Sequence, residues 1–454
     1  MAKGRTFLRH QAMLYLVLAL LCISPFWSCG KKAKDSERVG QYNFAARTFN
    51  SKVAFRVFVQ ETSQSEPKLI GSTPSDTPLD IPSCWVWFVE LSGPVKDWDL
   101  LVREIKGNKI PGLHLSSVVT DSDSKHLVGL TGLRALWLNS TKITNVGLKY
   151  LKDLTSLQLL DLSDTQITDV GIENLAGLTC LQKLDLSGTE ISNVGLKYLT
   201  SLTELKELNL YSTEITDAGL EYLAGLIGLQ RLNLSNTQIT SVGLKHLKGL
   251  TGLQRLDLSS NKITDSGLEH LKGLTGLQTL LLSSTQITDA GLENLAGLTA
   301  LQELQLFGTK ITDSGLEHLA GLTSLQTLFL AGTQITDAGM VNFKNLTGLQ
   351  TLFLGGTDTN ITDAGIVNLK NLTGLQRLSL SFTKITDVGL KNLAVLIELR
   401  GLMLNNTQIT DAGLEHLKSL TRLQWLDLSH TQVTDAGVQQ LKERMPKLRI
   451  DYKR

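Results

Sequence analysis

The chain has 454 residues, in which 44 Lys and Arg stand against 43 Asp and Glu for a formal net charge of +1. So even a balance provides no global field for nucleic acid or an anionic membrane surface. The four cysteines, Cys22, Cys29, Cys84 and Cys180, are too scattered for a disulfide framework or a zinc site, and Cys84–Cys180 is the one bridge that is conceivable.

Residues 1–29 read as an export signal. Lys3, Arg5 and Arg9 precede an apolar run from Ala12 to Ile23, the length of a signal-peptide core and short of a membrane span. The stretch Pro25-Phe-Trp-Ser-Cys29-Gly then resembles a bacterial lipoprotein signal, which implies lipidation at Cys29. Phe26 stands where that pattern prefers an aliphatic residue, so simple export and an uncleaved signal anchor remain as alternatives. All three place the protein in the cell envelope, anchored or periplasmic, with a lipid or signal anchor as its only membrane contact.

Residues 30–50 form a polar linker. Within 51–105, Val53–Val59 and Cys84–Val89 read as strands, and Asp97–Ile105 places apolar residues on one helix face. Residues 106–445 then repeat one 24-residue unit. Thirteen clear copies begin at Leu130 and recur to Leu420, with a two-residue insertion around Asp358 and Thr359 as the single break. A degenerate copy over Ile110–Leu127 makes fourteen coils. Such a period means a stacked solenoid, because one unit cannot bury its apolar face alone. A solenoid needs terminal units over its exposed core edges. Trp85, Trp87, Phe88 and Trp98 suit the first of these, and residues 446–454, after the helix stop Pro446, form a charged closing strand at the other end.

Each copy reads L-x-x-L-x-L-x-x-T-x-I-T-D-x-G-L-x-x-L. Leu160 and Leu162 alternate as in a strand, and Ile172 and Leu175 share a helix face. Asp169 and its equivalents stand where a helix N-cap belongs, with Asn145, Asn193 and Ser241 as substitutes of the same kind. Gly fills one slot in every copy from Gly147 to Gly437, as expected where a side chain would push coils apart.

These residues resemble the leucine-rich repeat family over roughly residues 100–454, most closely its helix-bearing, F-box-associated subtype. The resemblance implies an α/β horseshoe of about fourteen coils, with a parallel sheet on the concave face and helices on the convex face. The departure is at Thr165 and its equivalents, where the family places Asn or Cys to bond neighbouring coils. Only Asn261 keeps the usual residue.

No phosphate loop, nucleophile elbow, HExxH or CxxC occurs, so neither enzyme nor cofactor is expected. Helix capping accounts for the Asp column without calcium. His246, His270, His318 and His416 share a slot with Tyr and Asn, the pattern of a solvated flank rather than a metal site. The informative positions are strand residues pointing away from the core. One half of this face carries Asp161, Asp185 and Asp257; the other carries Leu281, Phe307, Phe329, Phe353, Met403 and Trp425. Exposed aromatic clusters mark interaction sites. The expectation is an exposed apolar strip outside the solenoid core, whose loss leaves stability nearly intact. The function that follows is non-enzymatic recognition of a protein or glycan by an exported protein. A self-assembling architectural envelope protein is the alternative, and a ubiquitin-ligase-type substrate adaptor comes third.

Overall fold

The computed structural model describes residues 44–62, 65–91, 93–115, 119–356 and 360–452. The signal segment with Cys29, the linker as far as residue 43, and Asp358 and Thr359 lie outside the described residues. Fifteen three-residue strands, from Gly112–His114 to Arg449–Asp451, run parallel in chain order. The first fourteen belong to the expected coils and the last is the closing strand. Equivalent positions pair throughout, as Leu160 with Leu184 and Leu328 with Leu352, so the 24-residue period becomes an in-register ladder. Leu157, Leu160, Leu162, Ile167, Ile172 and Leu175 are all buried between the sheet and the turns behind it. Each such side chain gains ~1.5–3 kcal/mol from burial, which only a stack can supply.

The N-terminal segment extends the same sheet. Strands β1 (Arg47–Phe49), β2 (Phe55–Gln60), β3 (Lys68–Ser72), β4 (Leu79–Ile81) and β5 (Val86–Leu91) precede helix α1 (Trp98–Gly107). β5 pairs in parallel with Gly112–His114, β2 lies antiparallel to β5, and β3 lies antiparallel to β2. The sheet is open, with β3 and Arg449–Asp451 at its ends; β1 and β4 form a separate antiparallel pair. Trp87 is fully buried in the core. Trp85 and Phe88 instead point to the opposite face and join Trp137 in a second cluster, so they cover the outer face of the first coils rather than the core edge. Cys84 is buried and Cys180 exposed, and both are free, which removes the conceivable bridge. Among the described residues no helix is long and apolar enough to cross a membrane.

The capping expectation needs correction. In the turn Asp169–Ile172 the N-cap is Thr168, and Asp169 is the first helical residue. The carboxylate of Asp169 reaches the next coil instead. Its Oδ1 accepts from the backbone amides of Ser192 (2.8 Å) and Gly195 (2.9 Å), and its Oδ2 accepts from the Ser192 hydroxyl (2.6 Å). The same staple recurs down the stack, as in Asp265 to Thr288 and Asp363 to Thr386. The carboxylate thus satisfies orphan amides at the start of its neighbour's turn, not its own. The invariant glycine follows from this: a Cβ on Gly195 would sit 2.6 Å from Asp169 Oδ1.

The Thr column behaves differently from Asn. Thr165 donates to Leu162 of its own coil at 2.6 Å. Asn261 donates to Leu234 of the preceding coil at 2.7 Å and accepts from Thr237. Stapling by Asp supplies the bonds between coils that a column of Thr does not.

Candidate binding face

Alternation along each strand leaves two residues of three pointing away from the core, and the ladder aligns them into columns across the sheet. In the polar half one column runs Asp161, Asp185, Asn209, Asn233, Asp257. Ser163 donates through its amide and hydroxyl to Asp161, Ser187 does the same for Asp185, and Asn209 donates to Asp185 at 2.9 Å. Burial, and then the neighbouring Asp185 carboxylate, push Asp161 up from 3.8 to about 6. Burial also raises Asp185 and Asp257.

The adjacent column holds Lys183, Glu207, Arg231, Arg255 and Glu303. Lys183 meets Glu207 at 3.0 Å, Arg231 meets Glu207 at 3.8 Å, and Arg255 meets Glu303 at 3.5 Å. Lys183 also lies over the Trp85 ring, 5.2 Å from its centroid. Each cation of this half thus meets a glutamate, with Arg255 Nε left buried without a hydrogen-bond partner among the described residues, and the N-terminal segment closes its far end.

These shifts set a pH dependence. A folded-state pKa above the unfolded value means that ionisation is penalised by folding, so stability is full below pH 3.8 and is lost as pH rises through about 6. The rise at Asp161 corresponds to at most ~3 kcal/mol. Asp161→Asn should therefore melt higher than wild type at pH 7.5 and converge with it as pH falls below 3.8. Thermal melts across that range check this. A variant melting below wild type at pH 7.5 contradicts it.

The other half is apolar. Phe329, Phe353 and Met403 form a cluster separate from the core, with Trp425 packed against it. The Phe329 and Phe353 rings lie 4.5 Å apart at a 47° tilt. Trp425 Nε1 donates to Asp451 at 2.7 Å, which uses its polar atom and presents the ring as apolar surface. Phe307 is half-buried one outward position further along its coil, and Leu281 is buried two strands before Phe329, across Gln305. The expected exposed strip is corrected here. Phe329 is only 9% exposed, because strands this close let large rings bury one another's flanks. The rings are outside the solenoid core but not free of packing.

Two residues in this half of the chain escaped the sequence reading. Arg377 is exposed at the head of its strand, in the column Thr351, Arg377, Gly401, Trp425. Phe382 follows on the same coil with φ of 59°. Its equivalents in the left-handed turn are Ser, Asp, Asn, Gly or His, which tolerate that conformation, and an aromatic there carries a strain of ~1 kcal/mol or more. That one aromatic in a column of turn residues was the available signal. Phe382→Asn, matching Asn236 and Asn406, should raise the unfolding free energy by ~1 kcal/mol. Urea unfolding checks this, and a destabilised variant would show that Phe382 is held by packing.

Family models described as leucine rich repeat match residues 131–335, in overlapping windows, and 372–394 and 419–442. No curated protein matches the chain by sequence. Among solved structures, an internalin from Listeria monocytogenes is similar at 30% identity and a TM-score of 0.57, with 72% of this chain and 88% of that one covered. A leucine-rich repeat protein from Leptospira interrogans shares the fold at 23% identity and a TM-score of 0.55, covering 77% of this chain and 91% of that one.

Proposed function

The chain belongs to the leucine-rich repeat family, and we propose that it is a non-enzymatic, exported recognition protein that holds a macromolecular partner on the concave face of its sheet. The observation that carries this reading is the cluster of Phe329, Phe353, Met403 and Trp425, which packs outside the core on the half of the face that the N-terminal segment leaves uncovered. These rings lie outside the core that stacks the coils and offer an anchor for a partner. A protein fits this surface better than a glycan, because the only polar atom of Trp425 is already bonded to Asp451. Export rests on the leader, with Cys29 as the lipid site. The leader also stands against the ubiquitin-ligase adaptor. Capture of a partner by wild type, and its loss in the Phe329→Ala, Trp425→Ala double variant, tests the proposal.

A second reading, self-assembly, draws on a different surface. Val146, Val170, Val194 and Val242 occupy one slot on the turns behind the sheet and are 51–72% exposed. A ridge of that kind suits contact between copies.

A further inference from the structure

The cations of the sheet face are not alike. Lys183, Arg231 and Arg255 each meet a glutamate in the polar half. Arg377 is exposed, borders the aromatic cluster and forms no ion pair among the described residues, whereas Arg449, on the other side of Trp425, meets Asp451 at 3.5 Å. Gly401 stands between Arg377 and Trp425 in the column: a Cβ there would lie 3.7 Å from the Trp425 ring and 3.8 Å from Arg377 Cγ, ordinary contact distances, so the arginine stem and the ring flank one gap on the face. The guanidinium is left at the cluster's border with five donors and no carboxylate.

We propose that the partner docks through a peptide segment in which a carboxylate lies within one or two residues of a large apolar side chain, the apolar group on Phe329, Phe353 and Met403 and the carboxylate on Arg377. On the Arg377 side of the cluster charge complementarity selects this occupant, while Asp427 opposite Met403 and Asp451 on Trp425 disfavour an acid on the other side. An apolar segment with a basic neighbour would meet Arg377 unfavourably, whereas an acidic one gains a charge-assisted bidentate pair beside a water-poor surface. The neutral overall charge of the chain means that this selection is local. The polar half cannot compete for the acid, because its cations are already engaged with Glu207 and Glu303.

This inference rests on the concave-face reading above, and one experiment separates their failures. Random dodecapeptides displayed on phage are selected on the full chain, and the enriched consensus is synthesised. The expected consensus pairs Asp or Glu with Phe, Trp, Leu or Ile within two positions. Its affinity should fall roughly fivefold in Arg377→Ala and further in Arg377→Glu, with the fold confirmed by an unchanged circular dichroism spectrum. Replacing the peptide's acid by its amide should cost the same factor against wild type and nothing more against Arg377→Ala. Enriched peptides that depend on Phe329 but carry no acid, or that bind Arg377→Ala as well as wild type, overturn the acidic-segment inference alone. No enrichment that depends on Phe329 overturns both.

Discussion

Gly291→Ala should destabilise the solenoid by about 2–3 kcal/mol, although alanine is the better helix former by ~1 kcal/mol. The reason is the staple between coils. A Cβ at Gly291 would sit 2.4 Å from Asp265 Oδ1 and 3.0 Å from Ile287 Cγ2. That carboxylate accepts from the Thr288 amide at 2.8 Å and the Thr288 hydroxyl at 2.7 Å, so it cannot retreat without breaking both bonds. The loss combines overpacking with a buried amide left unpaired. Gly297 lies on the same coil with nothing within 4 Å of its missing Cβ, and Gly297→Ala should be neutral or slightly stabilising. Adding Asp265→Ala to Gly291→Ala should recover part of the loss, because the clashing atom is gone. Hydrogen exchange around residues 265–291 is the suitable readout, since solenoids open locally as well as globally. A Gly291→Ala variant as protected as wild type would show that the coils slide past the clash.

Phe329→Ala should weaken partner capture about thirtyfold, the effect of removing an anchor worth ~2 kcal/mol. Its ring closes one end of the cluster, 4.5 Å from Phe353. The same packing means a stability cost of about 1–2 kcal/mol, in contrast to the negligible cost expected for a freely exposed ring. Binding and stability must therefore be measured together, below the melting range of the variant. Asp161→Ala, in the polar half, should leave capture within a few-fold of wild type. Equal losses in the two variants would mean that the partner covers the whole face.

The coils were legible in the sequence because a repeat reports each structural position many times. One leucine says little; Leu160, Leu184 and Leu208 in one slot define a ladder. The glycine column was legible in the same way, as a place where coils touch. What periodicity could not show was direction. Asp169 satisfies either its own turn or the next one within the same pattern, and only the orientation of the carboxylate toward Ser192 and Gly195 decides between them. The binding face was half legible. Alternation placed Phe329 and Phe353 outside the core, but mutual burial depends on strand spacing and curvature, which no column encodes. Arg377 escaped because arginine also heads the strands at Arg231 and Arg255. Its difference lies in the absence of a glutamate neighbour, which is a property of three strands together. The covering of the first coils by Trp85 and Phe88 is a contact between segments of unrelated pattern, so it left no periodic trace.

A photo-crosslinking phenylalanine analogue introduced at position 329 tests the central claim most directly, with the same analogue at position 170 on the valine ridge as comparison. Recognition on the concave face predicts that position 329 yields one dominant crosslink to a different protein when the full chain is irradiated in the cells that produce it, while position 170 yields none. Crosslinks between copies of this chain at position 170, with nothing captured at position 329, would contradict the account.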